Sequence, residues 1–319
     1  MNGRMFREVR YWLLYRTCGS IALVTTALAR LLPYGLFVRT MTPIFKLFAR
    51  ILIPKRRVLK NLNAAFGETY SFATKKGLAK GVQQHFARNF VDCFSPLSDG
   101  KYVRDLVAVR GIDNLRAALK KGKGVIALGA HIGNFVLVGT RLGMEGFPVH
   151  TLFRLPPDRK IRALIDRLLK SFYQNIIPGL PRREAVTKIL EALNQNEIVF
   201  ILADNLKKGR VPTSFFGQPV RSPRGPASLA LRSKAAVLPV YLIRNYEGGL
   251  ELVIESEIPI IRNGNLSQDI VQNTQRIARQ LESLIRRYPD QWNWLTVRIR
   301  KRPTTFQSLP QEHPSRFSA

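Results

Sequence analysis

An α/β fold, a mixed sheet flanked by helices, is predicted for residues 61–303 by two patterns and one point of chemistry. Short runs rich in β-branched residues recur from Val107 onward, and between several of them lie amphipathic stretches of helix length. Two of the apolar runs lead into a side chain suited to acid–base chemistry, His131 after "VIALGA" and Asp204 after "EIVFILA". The carboxyl end of a strand is the usual mouth of a site in an α/β sheet. At 319 residues and 45% hydrophobic, the chain can bury a full core.

Taken in order, residues 1–60 read as a membrane-associating segment. From Tyr11 to Leu52 the chain is mostly apolar but is interrupted by Arg16, Arg30, Arg39, Lys46 and Arg50. Its longest uncharged run, Thr17 to Ala29, has 13 residues, short of the roughly 18 expected of a clean span. Snorkelling of Arg16 and Arg30 would stretch it to roughly 20 residues, so one span and a helix lying in the interface both stay open. A cleaved secretory signal does not fit, because the arginine-punctuated region runs past residue 50. The cluster "PKRRVLK", Pro54 to Lys60, is placed to meet acidic headgroups, with a solvated helix start as the plainer reading.

Residues 61–95 read as helical, with Phe66, Phe72, Leu78, Val82, Phe86 and Phe90 spaced for a mostly buried face. Strands are expected at 125–130, 148–154, 197–204, 235–244 and 250–256, and helices at Arg159 to Phe172 and Glu184 to Asn194. There is no internal repeat and no low-complexity tract. The tail, 304–319, has little apolar periodicity and reads as a loose end.

The 51 Lys and Arg against 21 Asp and Glu leave a formal charge of +30, an excess that favours an anionic partner. Acidic phospholipid and nucleic acid are the two classes. No helix-turn-helix pattern, zinc spacing or RNP-like aromatic string accompanies the charge, so nucleic acid rests on charge alone. The apolar, basic amino terminus favours anionic membrane lipids. Cys18 and Cys93 make no disulfide framework and no zinc pattern, which sets a reducing cytoplasmic environment as the default.

Of the four histidines, His85 lies in a helical stretch, His150 within a strand and His313 in the tail, so only His131 has Gly133 and Asn134 beside it. Gly133 would permit close backbone approach of a substrate, and Asn134 would offer an amide donor. A neutral imidazole there can take a proton from an alcohol attacking a carbonyl; the bland alternative is a satisfied structural histidine. Asp204 can orient a histidine or be a solvated loop residue. Lys207, Lys208 and Arg210 follow it in a loop that also carries Phe215 and Phe216, a combination suited to a phosphorylated amphiphile unless both phenylalanines are core. Arg154 ends the run "HTLFR", where an unpaired guanidinium would be costly.

Together these segments resemble the lipid A biosynthesis acyltransferases, the lauroyl and myristoyl transferase family of bacterial inner membranes. The resemblance is carried by "RRVLKNLNAAFGE" (56–68), "GAHIGNFVL" (129–137), "LFR" (152–154), "VFILADNLKKGRVPTSFFGQP" (199–219), "LALRSKAAVLPVYLIR" (229–244) and "YPDQWNWLTVRIRKRP" (288–303). The last holds Gln291, Trp292 and Trp294, which alone would read as an aromatic anchor.

The resemblance implies a glycerolipid-acyltransferase-like fold and transfer of a fatty acyl chain from acyl carrier protein or acyl coenzyme A to a hydroxyl of a lipid A precursor or related glycolipid. It implies a bacterial inner-membrane enzyme with its catalytic domain on the cytoplasmic side, and neither metal nor cofactor. His131 falls on the family's general base, Arg154 on an arginine near the phosphate or developing oxyanion, and Asp204 on the acidic position of the later loop. Direct attack by the hydroxyl needs no covalent enzyme intermediate.

The family usually carries a carboxylate five residues after the histidine, where this chain has Val136, and Phe135 stands for the usual tryptophan. Glu145, nine positions beyond Val136, is half a turn out of phase at about 100° per residue and no substitute. Asp204 is the candidate replacement. The alternative is a weak or inactive homologue that binds acyl lipids without turnover. Acyl chain length, acceptor, donor type and oligomeric state are not legible.

Overall fold

The computed structural model describes residues 24–93, 100–153, 155, 158–206 and 209–297. Arg154, Lys207, Lys208, His313, the tail and residues 1–23 lie outside them, so the expectations placed on those positions are not addressed by the fold.

After a helical stretch over 24–31 the chain forms α1 (Tyr34–Leu52), α2 (Lys55–Phe66), α3 (Phe72–Asp92) and α4 (Gly100–Leu106). It continues through β1 (Val107–Arg110), α5 (Ile112–Leu119), β2 (Val125–Gly129), α6 (Phe135–Met144), β3 (Val149–Phe153), α7 (Arg159–Ser171), β4 (Asn175–Pro178), α8 (Arg182–Asn194) and β5 (Ile198–Leu202). A hairpin of β6 (Val211–Phe215) and β7 (Gln218–Ser222) follows, then α9 (Gly225–Ser233), β8 (Ala236–Arg244), β9 (Leu250–Ile254) and α10 (Leu266–Arg287).

Seven described strands form one sheet in the order β1-β9-β8-β2-β5-β3-β4. Every neighbouring pair is parallel except β8 and β9. Those two are joined by a tight turn in which Asn245 N–H donates to the Gly249 carbonyl at 2.9 Å and Gly249 N–H to Asn245 Oδ1 at 2.8 Å. A connection that short cannot cross over, so β9 must run back along β8 and the sheet is mixed, as the sequence predicts.

The two faces of the sheet obey the period of two. Ile126 and Leu128 of β2, Val199 and Ile201 of β5, and Val237 and Tyr241 of β8 bury one face against α2, α8, α9 and α10. Val125, Ala127, Ile198, Phe200, Leu238 and Val240 bury the other against Leu115 of α5 and Leu137, Val138 and Leu142 of α6. The result is helices on both sides of one sheet.

The reading of 61–95 needs correction. That helical stretch holds two helices: Gly67 at φ +49° ends α2, and α3 starts afresh at Ser71, whose hydroxyl accepts from Thr74 N–H at 3.1 Å. Its face is not mostly buried, since Phe72 is 64% exposed and Phe90 38%. Residue 60 lies within α2, whose Val58, Leu62 and Phe66 belong to the main core. No helix among the described residues is long and apolar enough to cross a membrane, and most of the run Thr17 to Ala29 lies outside them. α1 is instead amphipathic, burying Phe37, Phe45 and Ala49 against α3 and leaving Leu47, Ile51 and Leu52 outward.

Leu128 has no exposed surface at the centre of the sheet, whereas Leu47 on α1 is 60% exposed. Leu128→Ala is expected to cost about 2–5 kcal/mol of unfolding free energy, and Leu47→Ala less than about 0.5 kcal/mol; urea unfolding of the two variants measures the contrast.

Candidate active site

The register of two neighbouring strands brings the two strand-end residues together. β2 and β5 pair parallel with Gly129 opposite Leu202, and Ala203 N–H donates to the Gly129 carbonyl at 3.0 Å. Two residues further on, His131 therefore stands beside Asp204. Nδ1 of His131 lies 2.7 Å from Asp204 Oδ1, and the backbone N–H of His131 donates to Asp204 Oδ2 at 2.9 Å. An ionised carboxylate only accepts, so Nδ1 carries the proton and Nε2 keeps its lone pair. Among the described residues Nε2 makes no hydrogen bond.

A third donor reaches the same carboxylate: the indole Nε1 of Trp292 donates to Asp204 Oδ2 at 2.7 Å. The chain arrives there after α10, where Gly133 N–H donates to the Gln291 carbonyl at 3.0 Å and Asn293 N–H to the His131 carbonyl at 2.9 Å. Gln291 itself is clamped to the end of β8, its amide pairing with both the N–H and the carbonyl of Arg244.

Burial disfavours the imidazolium of His131, but the hydrogen bond and negative charge of Asp204 outweigh it and hold the pKa above its ordinary value. Burial likewise pushes Asp204 upward. His131, the Trp292 indole N–H and the His131 backbone N–H together win, and the carboxyl sits below the usual range. Asp204 is fully buried while the His131 side chain is 28% exposed, so the pair presents the imidazole and hides the carboxylate.

His131 opens onto a cavity of about 140 Å³. Val82, Phe86, Asn89 and Phe90 of α3 form one wall, and Phe135 and Val136 at the start of α6 another. Phe135 stands edge-on to the imidazole with ring centroids 5.1 Å apart. Cys93 also lines the cavity, but burial and the charge of Asp92 push its thiol up to about 12, so it is no nucleophile. Among the described residues, no three His, Cys, Asp or Glu side chains gather where a metal ion could be shared.

The other expected residues fare differently. Gly133, at φ +53°, lines the cavity, but a Cβ there would stand 1.9 Å from the Leu242 carbonyl oxygen; β8, not a substrate, demands the glycine. The Asn134 amide is already committed, donating to the Asn89 carbonyl at 3.0 Å and accepting from Cys93 Sγ at 3.3 Å. Phe215 and Phe216, 1% and 4% exposed, are part of the core and do not line the cavity. With Phe66, Trp292 and Trp294 they form an aromatic cluster under the site, in which Trp292 and Trp294 lie 4.8 Å apart. Arg210 is exposed at the foot of the hairpin and does not line the cavity.

His85 and His150 pair with Asp290 and Glu197 at 3.2 and 2.6 Å, which accounts for both as structural residues. A larger cleft of about 710 Å³ lies at the opposite edge of the sheet, beside the ends of β1 and β9. Its carboxylates are spent on Arg287 and Lys121, and it holds no histidine, so the chemistry belongs to the smaller cavity. Sequence reasoning missed α3 as the cavity wall and Trp292 as a partner of Asp204. A tryptophan two residues after a charged turn carries no local sign of a distant carboxylate.

Residues 4–301 match the family model for bacterial lipid A biosynthesis acyltransferases. A phosphatidylinositol mannoside acyltransferase of Mycolicibacterium smegmatis is 28% identical over 66% of this chain and 68% of its own length. A lipid A biosynthesis palmitoleoyltransferase of Escherichia coli is 26% identical over 96% of this chain and 97% of its own. A lipid A biosynthesis acyltransferase of Haemophilus influenzae is 25% identical over 60% and 58%. With a strand-end histidine, its buried carboxylate and a family match spanning nearly the whole sequence, the chain belongs to the bacterial lipid A biosynthesis acyltransferase family and is an O-acyltransferase.

Proposed function

We propose that this enzyme moves a fatty acyl chain from the thioester of acyl carrier protein or coenzyme A to a hydroxyl of a lipid A precursor or related glycolipid, with His131 as general base. The 2.7 Å contact between His131 Nδ1 and Asp204 Oδ1 carries this reading. Nε2 takes the proton as the acceptor oxygen attacks the thioester carbonyl, the C–S bond breaks, and the imidazolium returns the proton to the departing thiolate. No bond to the enzyme forms, and no cofactor takes part. Arg154 is assigned on the family's pattern to the phosphate or the oxyanion, and Lys207 and Lys208, in the cation-rich loop after Asp204, to the phosphate of an amphiphilic substrate.

Val136 does not argue for a silent homologue on this reading. A carboxylate is needed against Nδ1, and Asp204 supplies it from β5 rather than from α6. The base must be neutral to act, and its pKa is raised, so kcat/KM falls as pH drops through a midpoint above about 6.5. Asp204→Asn is expected to lower kcat by about 10³–10⁴ and to move that acidic limb to lower pH, because the charge that favours the imidazolium is gone. Initial-rate profiles of both enzymes from pH 5 to 9 (roughly the window in which imidazole titrates) test this.

The membrane side of the proposal rests on α1. Leu36, Ile44, Leu47, Phe48, Ile51 and Leu52 are outward, with Arg39, Lys46 and Arg50 among them. No Asp or Glu occurs between Glu8 and Glu68. An apolar face rimmed by cations, with no acid to oppose it, suits the interface of an anionic leaflet, here the cytoplasmic face of the inner membrane. Leu47→Asp with Ile51→Asp is expected to cut cosedimentation with phosphatidylglycerol vesicles by about tenfold or more. For the unaltered protein, high salt weakens binding without abolishing it.

A further inference from the structure

Acyl transfer by His131 and Asp204 leaves Trp292 without a role, although it is fully buried and spends its one polar group on that carboxylate. Asp204 has no exposed surface, so water cannot orient it. Oδ1 has one donor, His131 Nδ1, while Oδ2 has two, the His131 backbone N–H and the Trp292 indole. Both donors from His131 come from one residue. Without the indole, nothing from outside the His131 loop would hold the carboxylate plane, and it could turn so that the backbone N–H and the ring compete for the same oxygen.

Packing does not require the nitrogen. Phe215 and Trp294 touch the Trp292 ring at centroid separations of 6.1 and 4.8 Å, contacts that any aromatic ring of that size would make. The N–H is thus the feature in excess of the core. The segment that carries it is bonded to the His131 loop at two backbone points and clamped to β8 through Gln291, so the indole and the imidazole are placed by one piece of structure.

We propose that Trp292 is a positioning residue for the reaction: its indole N–H fixes Oδ2 of Asp204 and thereby presents Oδ1 to Nδ1 of the general base. The proposal rests on His131 being that base. By drawing charge from the carboxylate, the same N–H also moderates how strongly Asp204 favours the imidazolium. From the surrounding elements, α3 presents Phe86, Asn89 and Cys93 to the cavity, α6 presents Phe135 and Val136, and 291–293 bring no charge. Asp204 is the ionised group in contact with His131 among the described residues, and Cys93 is neutral far above working pH.

The test is the titration of His131, followed by NMR on full-length, detergent-solubilised protein labelled at its histidines, with Trp292→Phe, Trp294→Phe and the unaltered chain compared. Loss of the indole N–H makes Asp204 a stronger acceptor, so Trp292→Phe is expected to raise the His131 pKa by about 0.5–1. The acidic limb of kcat/KM moves up with it, and the plateau falls about tenfold because the carboxylate keeps its contact with Nδ1 but no longer fixes the plane of the imidazole. Trp294, whose N–H goes to the Pro289 carbonyl, serves as the control, and its phenylalanine variant leaves the limb in place. Should Trp292→Phe fail to fold, benzothienylalanine at 292 keeps the bicyclic ring and replaces N–H by sulfur. An unmoved His131 titration in a folded variant overturns the role of Trp292. Because that titration needs no turnover, it stands apart from the acyl-transfer reading, which falls instead if no donor and acceptor pair is ever turned over.

Discussion

Asp204 is a carboxylate with no contact with solvent, and the rest of the site is arranged around satisfying it. Removing such a group from water costs several kcal/mol unless donors replace the lost hydration. Three do, from positions 131 and 292, neither near 204 in sequence. The parallel register of β2 and β5 supplies two of them without any special turn, because equal steps past Gly129 and Leu202 end side by side. The third requires that the chain after α10 return to the carboxyl edge of the sheet. α10 buries Ile277, Leu281, Leu284 and Ile285 in the main core, so the core that seats this helix also fixes the partner of the carboxylate.

Above the carboxylate, the cavity is built chiefly from α3, and α3 is pinned at its carboxyl end by buried polar contacts. Asp92 pairs with Arg244 at the end of β8 and accepts from the Tyr34 hydroxyl at 3.2 Å, while Asn89 donates to the Gly133 carbonyl at 2.8 Å. Burial pushes the Asp92 pKa up despite the two arginines beside it. Such groups are costly singly and directional together, which suits a wall that must hold a fixed distance from a base. Val136 belongs to the apolar part of the same cavity. With Asp204 behind the imidazole, a carboxylate at 136 would add a second charge to a site that already has its partner.

The sheet and the meeting of His131 with Asp204 were legible from sequence because they depend on short-range pattern. "VIALGA" and "EIVFILAD" are apolar runs ending in a polar side chain, and strand ends that share a register meet. What was not legible depends on contacts across the fold. Phe215 and Phe216 stand next to three cations in sequence yet point into the aromatic cluster with Phe66 and Trp294. Only the hairpin's packing on α10, where Phe216 N–H donates to Glu282 at 2.7 Å, decides that. Gly133 was rightly singled out, for a reason the sequence could not contain: the Leu242 carbonyl lies where its side chain would be. The break at Gly67 was visible in principle, since glycine followed by a Ser71 cap is a stop and start, but the aromatic spacing across it hid the signal.

The basic amino-terminal region and the site are coupled through one helix. α1 lies on α3, with Phe45 and Phe90 rings 4.5 Å apart, and the same α3 turns Phe86, Asn89 and Phe90 toward His131. Ile53, directly after α1, is also part of the cavity lining, so the end of the amphipathic helix and the site share a residue. The acid-free, cation-rich stretch between Glu8 and Glu68 thus includes α1 and leads directly into the helices that build the cavity wall.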